Sequence, residues 1–134
     1  MEILNRVVVT GRGSVTLVGK EKVVDAVGVT RRYCYVSTNP LMFAVSLAKV
    51  LQVTKAIDSG RSFVVHDLKK EHIEDMEKAS VQLKPQSVVN VGEAETVDCW
   101  RIADCPVYIE CEVVQDIDCG DHVLFVARVR KRVW

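Results

Sequence analysis

The chain contains no apolar run longer than five residues; the longest are Leu41 to Val45 and Val123 to Ala127. A membrane-crossing helix needs about 20 such residues, which excludes one here. Met1-Glu2 leads directly into an alternating pattern, not into a basic segment followed by an apolar one, and the expectation is a cytoplasmic protein. Net charge is also lacking: 18 basic residues balance 18 acidic ones, so nothing global draws the chain towards nucleic acid or a membrane surface. The five cysteines, Cys34, Cys99, Cys105, Cys111 and Cys119, are odd in number and form no C-x-x-C pair. That excludes a complete disulfide framework and a zinc ribbon, and no His/Cys/Asp spacing suits another metal. With no internal repeat, low-complexity tract or linker, residues 1–134 are expected to form a single domain.

What is present is valine, in short apolar runs broken by turn residues, the pattern of a mainly β sandwich or barrel. Strands are expected at Ile3–Thr10, Ser14–Val18 and Val23–Val29, with a turn at Gly11-Arg12-Gly13 and a loop at Gly19–Lys22. Further strands are expected at Tyr33–Val36, Leu41–Leu47 and Ser62–His66, near Val88–Val91, and in a terminal hairpin, Val107–Val114 and Val123–Trp134. Two helices interrupt them. Val50–Asp58 carries Val50, Val53 and Ile57 on one face and is closed by Ser59-Gly60. Leu68–Ala79 carries Ile73, Met76 and Ala79 inward, with Asp67 as N-cap and Lys70–Glu74 and Glu74–Lys78 pairs outward. The alternation in Val107–Val113 places Cys111 with the apolar residues, as a small buried hydrophobe.

The charge is unevenly spread. Residues 1–66 hold nine basic and four acidic groups, residues 67–127 five and fourteen, and residues 128–134 four basic groups and no acid.

Three segments resemble the flavin reductase-like, FMN-binding split-barrel family. Asp25-Ala-Val-Gly-Val-Thr30 followed by Val36-Ser-Thr-Asn-Pro-Leu-Met-Phe-Ala-Val-Ser-Leu47 is similar to the family's N-A-M-T-A-S run and V-S-x-x-P-P-L-V strand. Ser59-Gly-Arg-Ser-Phe-Val-Val-His66 is similar to S-G-x-F-V-V-N. Cys105-Pro-Val-Tyr-Ile-Glu-Cys111 with Gly120-Asp-His-Val-Leu-Phe-Val-Ala127 resembles C-P-x-x-x-E-C and G-D-H-x-L-F-x-G, the most specific of the three. The likeness runs in family order from about Ser14 to Val129. It implies a β-barrel with two short helices, a homodimer, and bound FMN with NAD(P)H as electron donor. Either the protein is an NAD(P)H-dependent flavin oxidoreductase, or a redox partner protein takes the nicotinamide's place.

Within that resemblance, Asp25, Val27, Gly28, Val29 and Thr30 would line the slot for the flavin ring, mainly through backbone groups. Gly28 permits close backbone approach; the other reading is a bulge in a barrel strand. Arg31 and its neighbour Arg32 would reach a phosphate or a reduced flavin, or else solvate a turn. Ser46 belongs to the same group by position. Lys49 would hold the phosphate together with the N-terminus of the following helix, Thr54 adding a hydroxyl; otherwise Lys49 is a solvated strand-end lysine. His122 stands where the family's reductases place a histidine near flavin and nicotinamide, or it only shapes a hairpin turn. His66 is expected to be packed or hydrogen-bonded, and His72 solvated. The alternative function is a barrel without flavin, an interaction or nucleic-acid-binding module using Arg128, Arg130, Arg132 and Trp134. The acidic excess of residues 67–127 opposes it, and an alternating basic last strand is more often a solvated or edge-protected one. Other catalytic schemes find no support, since Gly11-Arg12-Gly13 is neither a P-loop nor a dinucleotide fingerprint and no nucleophile elbow is present.

Overall fold

In a computed structural model of the protein, residues 5–80 and 90–134 are described. The fold is mainly β. The strands are β1 Val7–Leu17, β2 Lys20–Thr30, β3 Tyr33–Thr38, β4 Leu41–Ala48, β5 Ser62–His66, β6 Val91–Glu93, β7 Trp100–Ile102, β8 Tyr108–Cys119 and β9 His122–Val133, with helices α1 Gln52–Gly60 and α2 Lys70–Ala79. Seven strands form one antiparallel sheet in the order β2-β1-β5-β8-β9-β4-β3, and β6 pairs with β7 separately. The sheet curls until its β2 end meets β4. There the Ser46 amide donates to the Arg32 carbonyl at 2.8 Å and the Thr30 hydroxyl donates to the Ser46 carbonyl at 2.8 Å. Register shifts in β8 at Glu110/Cys111 and Val113/Gln115 supply bend and twist for this closure. The result is a split barrel.

The alternation of apolar residues is obeyed on both faces of the central strands. Val7, Val9, Phe43, Val45, Phe63, Val65, Ile109 and Phe125 fill the barrel interior together with Val53, Ala56 and Ile57 of α1. Val8, Val27 and Val64 face outward and are buried under Ile73 and Met76 of α2, the β7 residues Trp100 and Ile102, and Tyr108. Each fully buried valine contributes roughly 1.5–3 kcal/mol. Ile73 and Met76 thus form the inward stripe expected of α2, and Glu74 and Lys78 are exposed.

Strand β1 differs from its sequence expectation. No turn occurs at Gly11-Arg12-Gly13; the strand runs unbroken to Leu17. These glycines let α1 lie against the sheet. A Cβ on Gly13 would stand 2.0 Å from the Ala56 carbonyl oxygen, one on Gly60 1.9 Å from the Arg12 oxygen, and one on Gly11 2.6 Å from the Ile57 side chain. The glycines serve tertiary contact, which a local reading takes for a turn. The actual turn is two residues, Val18-Gly19, both at positive φ. Helix α1 starts at Gln52, later than Val50, and ends on Arg61 in the left-handed region. Helix α2 starts at Lys70 with Lys69 at the N-cap position, not Asp67, and no side chain caps it. Val88 and Val89 lie outside the described residues. The short strand β7 has no alternating pattern long enough to announce it.

Buried polar groups tie the outer layer down. The Trp100 indole N–H is shared between the Gly11 and Ala26 carbonyls at 3.1 and 3.2 Å. The buried Glu110 carboxylate accepts from the amides of Glu95 and Thr96 and from the Thr96 hydroxyl at 2.6 Å. Burial alone would raise its pKa; the Thr96 hydroxyl and the two amides outweigh that and lower it. Arg12 bridges Asp25 (2.6 Å), Glu93 (2.6 Å) and Asp98 (3.2 Å), and these carboxylates raise its pKa further. Cys111 is buried as expected, as are Cys99 and Cys105, while Cys34 and Cys119 are exposed.

Candidate functional site

A cleft of about 340 Å³ opens where the sheet closes on itself. Its floor is the meeting point of β2 and β4, with Val29, Thr30, Ser46, Leu47 and Ala48. Arg31 and Arg32 of the β2–β3 turn, Leu51 before α1, and His122 at the start of β9 surround it. The far wall is Arg6, Glu77 and Ser80. The volume lies in the range of small-molecule sites, roughly 300–1,000 Å³. Thr30 is spent on closure: its hydroxyl donates to Ser46 and accepts the Arg32 amide at 3.0 Å. Arg6 pairs with Glu77. Arg31 and Arg32 make no ion pair with any described residue, so two guanidinium groups at the rim keep their donors for an anion. Helix α1 begins just after Leu51 of the cleft wall, and no side chain caps it.

Not all of the expected site residues meet here. Val29, Thr30, Arg31, Ser46 and His122 line the cleft. Gly28 lies beneath α1 instead: a Cβ there would stand 2.7 Å from Val53 Cγ1, so the close approach it permits is that of the helix. Val27 points to the outer core layer. Asp25 points outward to Arg12, at 2.6 Å. Lys49 and Thr54 border a second cleft of about 290 Å³ with Lys55, Asp58, Asp116, Asp118 and Val123. The Lys49 ammonium pairs with Asp118 at 2.5 Å, and the buried Thr54 hydroxyl donates to the Ala48 carbonyl at 2.6 Å.

Arg6, Glu77 and Ser80 escaped the sequence reading. Only the β1–β2 register, Val7 opposite Thr30, brings Arg6 beside the β2–β3 turn. Similarly, α2 reaches the cleft through its packing on the outer layer. Of the other histidines, His66 is fully buried and hydrogen-bonded at both nitrogens, and His72 is exposed. Three of the basic side chains in β9 are engaged within the chain: Arg130 pairs with Glu112 at 3.4 Å, Lys131 pairs with Glu95 at 2.7 Å, and Arg132 lies over the Tyr35 ring at 5.2 Å. Among the described residues no group of three or more His, Cys, Asp or Glu gathers as for a metal. No described helix is long and apolar enough to cross a membrane.

The seven-stranded split barrel is the fold of flavin reductase-type domains. The chain belongs to that family: the model of the flavin reductase like domain matches residues 7–133. Solved structures agree in fold. An NADH:FAD oxidoreductase of Streptomyces globisporus superposes with a TM-score of 0.73 at 18% identity, covering 98% of this chain and 76% of that one. The flavin reductase HpaC, solved with NADP+, gives 0.72 at 20% identity, with 96% and 76% covered. The FMN-binding protein of Thermus thermophilus, solved with p-hydroxybenzaldehyde, gives 0.72 at 19%, with 94% and 69% covered. No protein of curated function matches the sequence.

Proposed function

We propose that the protein binds FMN in the cleft at the β2–β4 seam and passes reducing equivalents between NAD(P)H, or a redox partner, and the flavin. The observation that carries this reading is the convergence of three separate segments on one cleft: the Thr30–Arg32 turn, Ser46–Ala48, and His122 of the Gly-Asp-His run. The donor set suits the ligand. Arg31, Arg32 and the first amides of α1 would hold a phosphate dianion, and Val29, Ala48 and Leu51 offer an apolar side to a flat ring. When bound, the flavin supplies the two-electron chemistry, accepting hydride from a reduced nicotinamide. The protein's part is to bind, to orient and to supply a ring nitrogen of His122 at the cleft edge.

The same reading includes a homodimer. The outer face of β3, β4, β9 and β8 carries Met42, Leu124, Val126 and Ile117, which belong to neither core layer. Ile117 is 38% exposed and Val114 51%. This face runs directly into Ser46, Ala48 and His122, because Ser46 pairs with Leu124 and Ala48 with His122. A second copy seated on it would wall the open side of the cleft in a two-fold manner. Fluorescence titration tests the flavin site: FMN should be quenched saturably with micromolar or tighter affinity, on the order of −8 kcal/mol. Unquenched FMN at high protein concentration would refute it.

A further inference from the structure

His122 has two ring nitrogens with different surroundings. Its Nδ1 lies 2.7 Å from Asp121 Oδ1. A carboxylate at that distance accepts a hydrogen bond from the ring, so Nδ1 carries the hydrogen and Nε2 is the nitrogen left open to the cleft. The turn that bears both residues is fastened to the end of β4 at two points. The Lys49 amide donates to the Asp121 carbonyl at 2.9 Å, and the Lys49 ammonium holds Asp118 on the opposite strand of the hairpin. Cys119 pairs directly across from His122 and closes the two-residue turn. The backbone of Asp121 is therefore fixed relative to the cleft floor, which gives its carboxylate a defined position from which to hold the ring.

We propose that Asp121 is the positioning residue for His122: it sets the imidazole tautomer so that a neutral His122 offers an acceptor at Nε2 to the cleft, and a protonated one a charged N–H donor. This rests on the proposed flavin site for its use, but not for its geometry. The charges around His122 are mixed. Arg31 and Arg32 come from the β2–β3 turn, Arg6 and Glu77 from the far wall, and Asp121 from its own turn. Among these, the Asp121 carboxylate is the group in hydrogen-bond contact with the ring. Its own pKa is lowered, chiefly by that hydrogen bond and then by the charge of His122. The arrangement separates roles: Asp121 touches the ring and His122 touches the cleft.

Long-range proton–nitrogen NMR on labelled protein without flavin, at a pH about two units above the ordinary histidine value of 6.5, reads the tautomer directly. His122→Gln identifies the resonance. Wild type should show a protonated Nδ1 and a bare Nε2, and Asp121→Ala should move the proton to Nε2. In turnover with NAD(P)H and FMN, Asp121→Ala should lower kcat about three- to tenfold with little change in flavin affinity, the modest size following from an exposed partner. The double variant with His122→Gln should be no slower than His122→Gln alone. A wild-type ring protonated at Nε2, or a tautomer unmoved by Asp121→Ala, overturns the proposal, as does an additive double variant. Failure of FMN to bind would overturn the flavin reading while leaving the NMR result to decide the positioning.

Discussion

His66 Nε2 accepts the Ile102 amide at 3.0 Å while Nδ1 meets the Val8 carbonyl at 3.1 Å, so one fully buried ring joins β5 to β1 and to β7. The Ile102 N–H can be accepted only by an unprotonated Nε2, which assigns the hydrogen to Nδ1. Burial, the largest influence, lowers the pKa of this histidine from 6.5 to about 4, against a smaller raising effect from Val8 and a lowering one from Arg101.

A depressed histidine pKa makes stability depend on pH in one direction. Above 6.5 the ring is neutral whether the chain is folded or unfolded, and the full stability is present. Between 6.5 and about 4 the unfolded chain takes up the proton and the folded one does not, so stability falls as pH falls. From pH 7.5 to pH 5 the loss should be about 2 kcal/mol, read as a fall in urea midpoint. His66→Gln should be less stable at pH 7.5 and should lose this slope. An equally steep slope in the variant would show that another group is responsible.

Val18 offers a test of turn chemistry. It sits at φ 52° in a two-residue turn with Gly19 at φ 73°, fully exposed, and a β-branched side chain is disfavoured there. Val18→Asn should stabilise the protein by about 1 kcal/mol and leave flavin binding untouched, since it lies at the far end of β1 from Arg6. A lowered melting temperature would contradict the turn geometry.

The position of the phosphate can be tested by comparing FMN with riboflavin. Arg31→Ala and Arg32→Ala should each weaken FMN by roughly tenfold, about 1.4 kcal/mol, and scarcely alter riboflavin. Lys49→Ala should change FMN less than about twofold, because its ammonium is occupied by Asp118 and an exposed pair contributes little. A large, FMN-specific loss for Lys49→Ala would move the phosphate to the second cleft.

Assembly can be tested at the apolar outer face. Light scattering should report about twice the chain mass of 15.0 kDa. Leu124→Asp with Val126→Asp should yield monomers that remain folded, since neither side chain belongs to a core layer, and should weaken FMN in proportion to dissociation. Monomeric wild type with tight FMN would separate the site from the interface.

The fold class was open to a sequence reading because strands and amphipathic helices announce themselves locally. Leu41–Leu47 and Ser62–His66 repeat apolar residues on a short period, and Ile73 and Met76 mark the inward face of α2. The terminal hairpin was equally visible, although only the register Cys119–His122 shows that its turn is two residues long. Part of the cleft was visible too, since Thr30, Arg31, Ser46 and His122 stand in recognisable runs. These properties depend on neighbours a few residues apart, and the amino-acid sequence by itself determines them.

The rest depends on which distant segments meet. Gly11, Gly13 and Gly28 look like breaks in strands until α1 lies on them; their missing side chains are then a packing surface. Asp25 and Lys49 have the right chemistry for a ligand site, but each faces a carboxylate or guanidinium partner supplied by another strand, Lys49 finding Asp118 and Asp25 finding Arg12. Arg6 and Glu77 show the converse: nothing in their local sequence marks them, and only strand register and helix docking bring them to the cleft. Charge pairing and close approach act over a few ångströms in space regardless of separation along the chain. Tertiary structure alone therefore decided which cations remain free for a ligand and which are already neutralised.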